Sequence, residues 1–126
     1  MIRLLMVDDD RDLAEIIKLK LETKDFSVTT TDVPQVGLRL AQENRPDIVL
    51  LDINMPGMSG IEFVQQLNTA DAEKKIKIVL FSSMLAGGGK DGGALTRGRF
   101  GISETIDKAI DLDELASRLK RLAESH

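Results

Sequence analysis

Asp47-Ile48-Val49-Leu50-Leu51-Asp52 is the stretch on which the fold turns. Its consecutive aliphatic residues show no polar alternation, so a strand here is covered on both faces, as at the centre of a parallel sheet. Pro46 closes the preceding connection, and the run stops at the carboxylate of Asp52. Similar signals lie on either side. Leu4-Leu5-Met6-Val7 is a short apolar run that stops at Asp8-Asp9-Asp10, and Ile76-Lys77-Ile78-Val79-Leu80-Phe81 stops at Ser82-Ser83. Ser27 to Thr31 is a weaker strand rich in β-branched residues. Ser103 to Asp107 is an edge strand that ends at Lys108.

Helical patterns separate these strands. Leu13, Ile16, Ile17 and Leu21 are spaced as one buried face, with Asp12 and Glu15 placed as a capping box. Pro34 opens a second helix carrying Val36, Leu40 and Ala41, and Ile61, Val64 and Leu67 mark a third. Asp111 and Glu114 cap a last helix whose buried stripe is Leu112, Leu115, Leu119 and Leu122. Residues 87–101 hold seven of the ten glycines. Glycine costs about 1 kcal/mol relative to alanine inside a helix, so only Ala94 to Arg97 has helical character there and the fourth-helix region is irregular. Five strands alternating with four or five helices predict an α/β chain. Its sheet is parallel and covered on both faces, because crossovers between parallel strands are right-handed. No repeat or linker divides the chain, so residues 1–126 form one domain of ordinary size.

Composition removes several classes of function. The chain lacks cysteine, and its single histidine is His126. Thiolate metal sites, cysteine nucleophiles, serine–histidine hydrolysis and multi-histidine zinc sites are all excluded. The balance of 17 basic and 21 acidic residues, with aromatics at 3%, argues against direct binding of nucleic acid. No apolar run approaches the roughly 20 residues that span a bilayer, and the N-terminus turns acidic too early for a secretory signal. A cytoplasmic protein is expected. Gly87-Gly88-Gly89-Lys90-Asp91 lacks the Ser or Thr after lysine and the preceding glycine of a nucleotide-binding loop.

In open parallel sheets, sites form beyond the carboxyl ends of the strands. Here those ends carry Asp8, Asp9 and Asp10, then Asp52, Ser82 and Lys108. Taken singly, each has an ordinary explanation: Asp10 or Asp12 as a helix cap, Ser82 as a loop residue, Lys108 as a solvated cation, Asn54 as a turn former. Their joint placement at one rim predicts chemistry. Clustered carboxylates need positive charge; Lys108 supplies one, and an oxygen-only ligand set suits Mg²⁺, which shares its shell with phosphate oxygens. Asp52, ionised at neutral pH, can attack phosphorus to form an aspartyl phosphate, with Lys108 and Ser82 receiving phosphoryl oxygens. A phosphatase that uses Asp52 as nucleophile is disfavoured, since Asn54 cannot act as acid–base carboxylate and no cap encloses a substrate.

At this point the chain resembles the receiver domain of two-component response regulators. The resemblance rests on Val7-Asp8-Asp9-Asp10, on Leu51-Asp52-Ile53-Asn54-Met55-Pro56-Gly57-Met58-Ser59-Gly60, on Ser82-Ser83 and on Lys108. It implies a flavodoxin-like, doubly wound sheet of strand order 2-1-3-4-5. It implies Asp52 as phosphoacceptor, Asp8 and Asp9 as the acidic pair at a Mg²⁺ site, and Asn54 adding its backbone carbonyl. It further implies Ser82 as the hydroxyl that follows the phosphoryl group and Lys108 as its cationic partner. The donor would be a sensor histidine kinase or a phosphotransfer protein, and the recipient of the signal a separate protein or an output domain. Such a domain is a switch that assists its own phosphorylation, not an enzyme with an external substrate. Ala109 stands where the family has proline after a cis peptide, and Thr105 where it has an aromatic ring. With the glycine-rich segment, these departures imply a fourth-helix region that is mobile and orders on phosphorylation or partner binding. They also support an alternative, a receiver-shaped interaction module that works without phosphorylation.

Overall fold

The computed structural model describes residues 1–52, 58, 60–70, 76–82 and 102–124. Among these, strands β1 (Ile2–Val7), β2 (Phe26–Thr31), β3 (Ile48–Asp52), β4 (Lys77–Ser82) and β5 (Ile102–Asp107) form one sheet in the order β2-β1-β3-β4-β5. Every pairing is parallel. Helices α1 (Arg11–Glu22), α2 (Pro34–Asn44), α3 (Gly60–Ala70) and a C-terminal helix (Leu112–Glu124) flank it. This is the doubly wound, flavodoxin-like order that the resemblance implies. The loop containing Asn54 and the glycine-rich stretch 87–101, with its Ala94–Arg97 helical signal, lie outside the described residues.

All five residues of β3 are buried. Strand alternation divides its side chains, and those of its neighbours, between two apolar layers. Leu5, Val7, Val49, Leu51, Ile78 and Leu80 pack with Leu38, Ala41, Phe63, Val64 and Leu67 of α2 and α3. Leu4, Met6, Ile48, Leu50, Val79 and Phe81 pack with Ile17 and Leu21 of α1 and Leu115 and Leu119 of the C-terminal helix. The sheet is therefore sealed on both sides, and its polar terminal residues are left at the carboxyl rim.

Three local readings need correction. The cap of α1 is Asp10, whose side chain accepts from the Leu13 amide, so Asp12 lies within the first turn and the Asp12–Glu15 capping box does not form. The buried face of α1 is Ala14, Ile17 and Leu21, whereas Ile16 is 53% exposed. Phe63, absent from the expected α3 stripe, is fully buried. On β5, the pairing passes from Ile78↔Ile102 to Val79↔Glu104, leaving Ser103 as an extra residue. This bulge sends Ile102 and Ile106 to opposite layers, although their spacing in a regular strand would place them together.

Helix α2 approaches the sheet closely because residue 37 is glycine. A Cβ built there would lie 2.7 Å from Val7 Cγ2, inside contact distance of a buried and rotamerically stiff side chain. Gly37→Ala gains about 1 kcal/mol of helix propensity but incurs an overpacking cost of about 1–3 kcal/mol, so it is expected to destabilise the protein. In a Val7→Ala background, which removes the obstructing methyls, the same substitution should become neutral or stabilising; urea unfolding of the four proteins measures the difference.

Candidate functional site

The site is assembled from strand ends. Parallel alignment brings the carboxyl ends of β1, β3, β4 and β5 to one rim, and backbone bonds hold their first loop residues there. The Asp8 amide donates to the Thr31 carbonyl at 3.1 Å, and the Lys108 amide to the Ser82 carbonyl at 3.3 Å. Asp8, Asp52 and Ser82 are the buried polar residues among the described ones, each no more than 4% exposed. Serine is ordinarily an exposed residue, so the burial of Ser82 comes from its position on a central strand and not from its chemistry.

Lys108 bridges the two buried carboxylates. Its Nζ lies 3.0 Å from Asp8 Oδ2 and 3.4 Å from Asp52 Oδ2. Burial pushes the ammonium's pKa down, but the short contact with Asp8 and the charges of Asp52 and Asp8 outweigh it, and the net shift is upward. The lysine is therefore a fixed cation at neutral pH. Carboxylate oxygens of Asp8, Asp9 and Asp52 lie within 4.8 Å of one another, with Asp9 exposed and the other two buried. The charge count is three acids to one ammonium.

Asp8 divides its two oxygens between two tasks. Oδ1 accepts from the Asp10 amide at 2.9 Å, which fixes the turn into α1. Oδ2 is buried, and its neighbour is the Lys108 ammonium at 3.0 Å. A hard divalent cation fits this donor set: oxygen ligands only, excess negative charge, and a buried carboxylate oxygen with an unused lone pair. The residues foreseen from the sequence thus converge, namely Asp8, Asp9, Asp52 and Lys108, with Ser82 at the end of the adjoining strand. Asn54 lies outside the described residues.

Two features were not foreseen. The Phe81 ring lies beneath Lys108, with Nζ 5.9 Å from its centroid. The β5-to-helix turn is held by Asp107, whose Oδ1 accepts from the Ala109 amide at 2.8 Å. No cis peptide occurs among the described residues, so the bond into Ala109 is trans. The sequence signal for this turn was Asp two residues before a non-proline residue, the arrangement of an Asx turn.

Comparison with known proteins agrees with this architecture. The family model described as "Response regulator receiver domain" matches residues 4–120. The cell cycle response regulator CtrA of Brucella ovis is 34% identical over 117 residues, which cover 93% of this chain and 48% of that protein. The chain thus spans about half the length of the curated relatives it matches. Among solved structures, the Vibrio cholerae chemotaxis protein CheY4 is 25% identical with a TM-score of 0.81, covering 97% of this chain and 98% of that one. A CheY-like receiver domain protein from Methanospirillum hungatei, at 20% identity, matches in fold with a TM-score of 0.86, over 98% of this chain and 94% of that one.

Two expectations about stability follow from the geometry. Removing one partner of a buried ion pair leaves the others uncompensated, so Lys108→Met should lower unfolding free energy in chelator by about 3–5 kcal/mol. Asp52→Asn, which removes one of the crowded carboxylates, should leave the metal-free protein at least as stable as the parent; urea titrations in EDTA compare the two. At the adjoining turn, Ala109→Pro deletes the N–H that Asp107 receives. Asp107→Ala should cost about 0.5–1.5 kcal/mol alone and nothing further in the Ala109→Pro background, measured by the same unfolding curves.

Proposed function

The chain belongs to the response regulator receiver family of two-component systems, and from that premise we propose that residues 1–126 form a phosphorylation-activated switch with Asp52 as phosphoacceptor. The observation that carries this reading is the ion-paired cluster at the rim, in which one ammonium lies within 3.4 Å of Asp52 and 3.0 Å of Asp8. The phosphoryl group comes from a phosphohistidine of a sensor kinase or phosphotransfer protein. An Asp52 carboxylate oxygen attacks phosphorus, the new O–P bond forms as the P–N bond breaks, and the electron pair of that bond stays on the donor imidazole. No base is required, because the nucleophile is already an anion.

Asp8, Asp9 and Asp52 would hold Mg²⁺, with the Asn54 carbonyl as the further ligand that the family pattern implies. When bound, the ion supplies positive charge to the phosphoryl oxygens and orients them. The chain's own residues do the rest. Lys108 presents a permanent cation to the arriving group, and charge neutralisation by a fixed ammonium in a partly buried site requires little reorganisation. Once Asp52 carries the phosphoryl group, Lys108 is drawn to its oxygens, and the Ser82 hydroxyl supplies a hydrogen bond to another. These shifts move the ends of β4 and β5, through which the signal reaches a separate partner protein or an output domain. The location is cytoplasmic; no helix among the described residues is long and apolar enough to cross a membrane.

Incubation with acetyl phosphate and Mg²⁺, followed by intact-mass measurement, tests the assignment. A gain of one phosphoryl group is expected, lost in Asp52→Asn and lost on chelation. Folded wild-type protein that gains no mass would overturn the switch and favour an interaction module independent of phosphorylation. Mg²⁺ alone should raise the thermal midpoint, and the increase should shrink in Asp8→Asn and Asp9→Asn.

A further inference from the structure

We propose that Phe81 is a positioning residue for phosphoryl transfer, its ring forming the surface over which Lys108 reaches the acidic cluster; this rests on the assignment of Asp52 as phosphoacceptor. The order of the strands sets the path of the lysine. Lys108 follows β5, whereas its two partners are on β3 and beyond β1. Strand β4 lies between, and neighbouring strands are about 4.8 Å apart, so the lysine stem must cross the end of β4 to pair with Asp52 and Asp8.

Register determines what it crosses. Asp52 pairs with Phe81, and Phe81 pairs with Ile106, two residues before Lys108. Side chains paired in parallel strands share a face, and residues two apart on a strand share it as well. Phe81 and Ile106 both lie in the layer facing α1 and the C-terminal helix. Asp52, two beyond Leu50 of that layer, falls on the same face by alternation. The ring is therefore on the side of the sheet that the lysine must cross, at the level it must cross.

The surroundings favour an effect on Lys108 beyond simple packing. Phe81 is 1% exposed, and the Lys108 side chain is 17% exposed. A partly desolvated ammonium close to an aromatic face is attracted to the negative charge of the ring face. Competing tethers on the lysine are few. Its backbone is held by the Ser82 carbonyl, and beyond the ring its described partners are the two carboxylates that the reaction engages. When Asp52 becomes an acyl phosphate its own contact with the lysine changes, while the ring, like the Asp8 carboxylate, keeps its charge character. An aliphatic residue of similar bulk would fill the layer but would not attract the cation.

Nuclear magnetic resonance and phosphorylation kinetics together test the role. In the wild-type protein, the Lys108 ε-methylene protons should be displaced upfield by the Phe81 ring current, and Phe81→Leu should abolish the displacement. The rate of phosphorylation by acetyl phosphate with Mg²⁺ should fall about fivefold in Phe81→Leu and be largely kept in Phe81→Tyr, which retains the aromatic face. In a Lys108→Met background, Phe81→Leu should produce no further loss. An equal fall in both backgrounds, or an unchanged rate in Phe81→Leu, would overturn the proposal. So would ε-methylene protons at their ordinary position in the wild-type protein, a measurement that holds even if Phe81→Leu does not fold. Wild-type protein that takes up no phosphoryl group defeats the Asp52 assignment itself; normal uptake with no Phe81 dependence defeats only the positioning role.

Discussion

Two buried carboxylates and one ammonium at the rim of the sheet are the constraint around which this molecule is arranged. Asp8 and Asp52 are almost fully buried, and Lys108 lies within ion-pair distance of both. Isolated, each buried charge would cost several kcal/mol of desolvation. Together they still leave an excess of negative charge, made larger by Asp9. A cluster of this kind is poor as a stabilising device. Its physical sense is as an unfinished charge balance, one that the proposed divalent cation and phosphoryl group would complete and alter.

The rest of the fold keeps that imbalance in place. Strand β3 carries Asp52 because its preceding residues are apolar on both faces and hold it at the centre of the sheet. Asp8 is held by a backbone bond to β2, and Lys108 by one to β4, so both enter the site from fixed backbones. Two more exposed ion pairs have a different character. Arg11 and Asp32 pair at 2.6 Å, and Lys20 and Asp113 at 2.7 Å. The Arg11 side chain holds the Asp32 carboxyl below its usual pKa range, and Lys20 does the same for Asp113, yet both acids border open solvent. Such pairs contribute little to stability. Among the described residues, the fully buried charges are the two carboxylates at the rim.

Much of this was legible in the residues. All five strands were read to within two residues of each boundary, three of them from apolar runs, and the polar residues at the ends of four gave the members of the rim cluster. The failures have specific causes. Asp10 and Asp12 were both cap candidates for α1; the cap forms at Asp10, so the box expected from Asp12 and Glu15 does not. Ile16 was assigned to the core by spacing but faces outward, since a helix with apolar residues at 13, 16, 17, 19 and 21 has more than one plausible stripe. Nothing was read about the faces of β5, where the bulge at Ser103 changes which side each later residue takes and leaves no mark in a strand of mixed polarity.

Sequence by itself determined the class of fold, its alternating elements and the membership of the charged rim, because burial pattern and strand-end polarity are local properties of the chain. Tertiary structure alone decided which strands are neighbours in register, and therefore that Lys108 crosses the end of β4, that Phe81 lies under it, and that Gly37 must give way to Val7. The reason is that register and close approach are relations between segments far apart in the chain. They are settled when two sealed layers pack against one sheet, and no single segment encodes them.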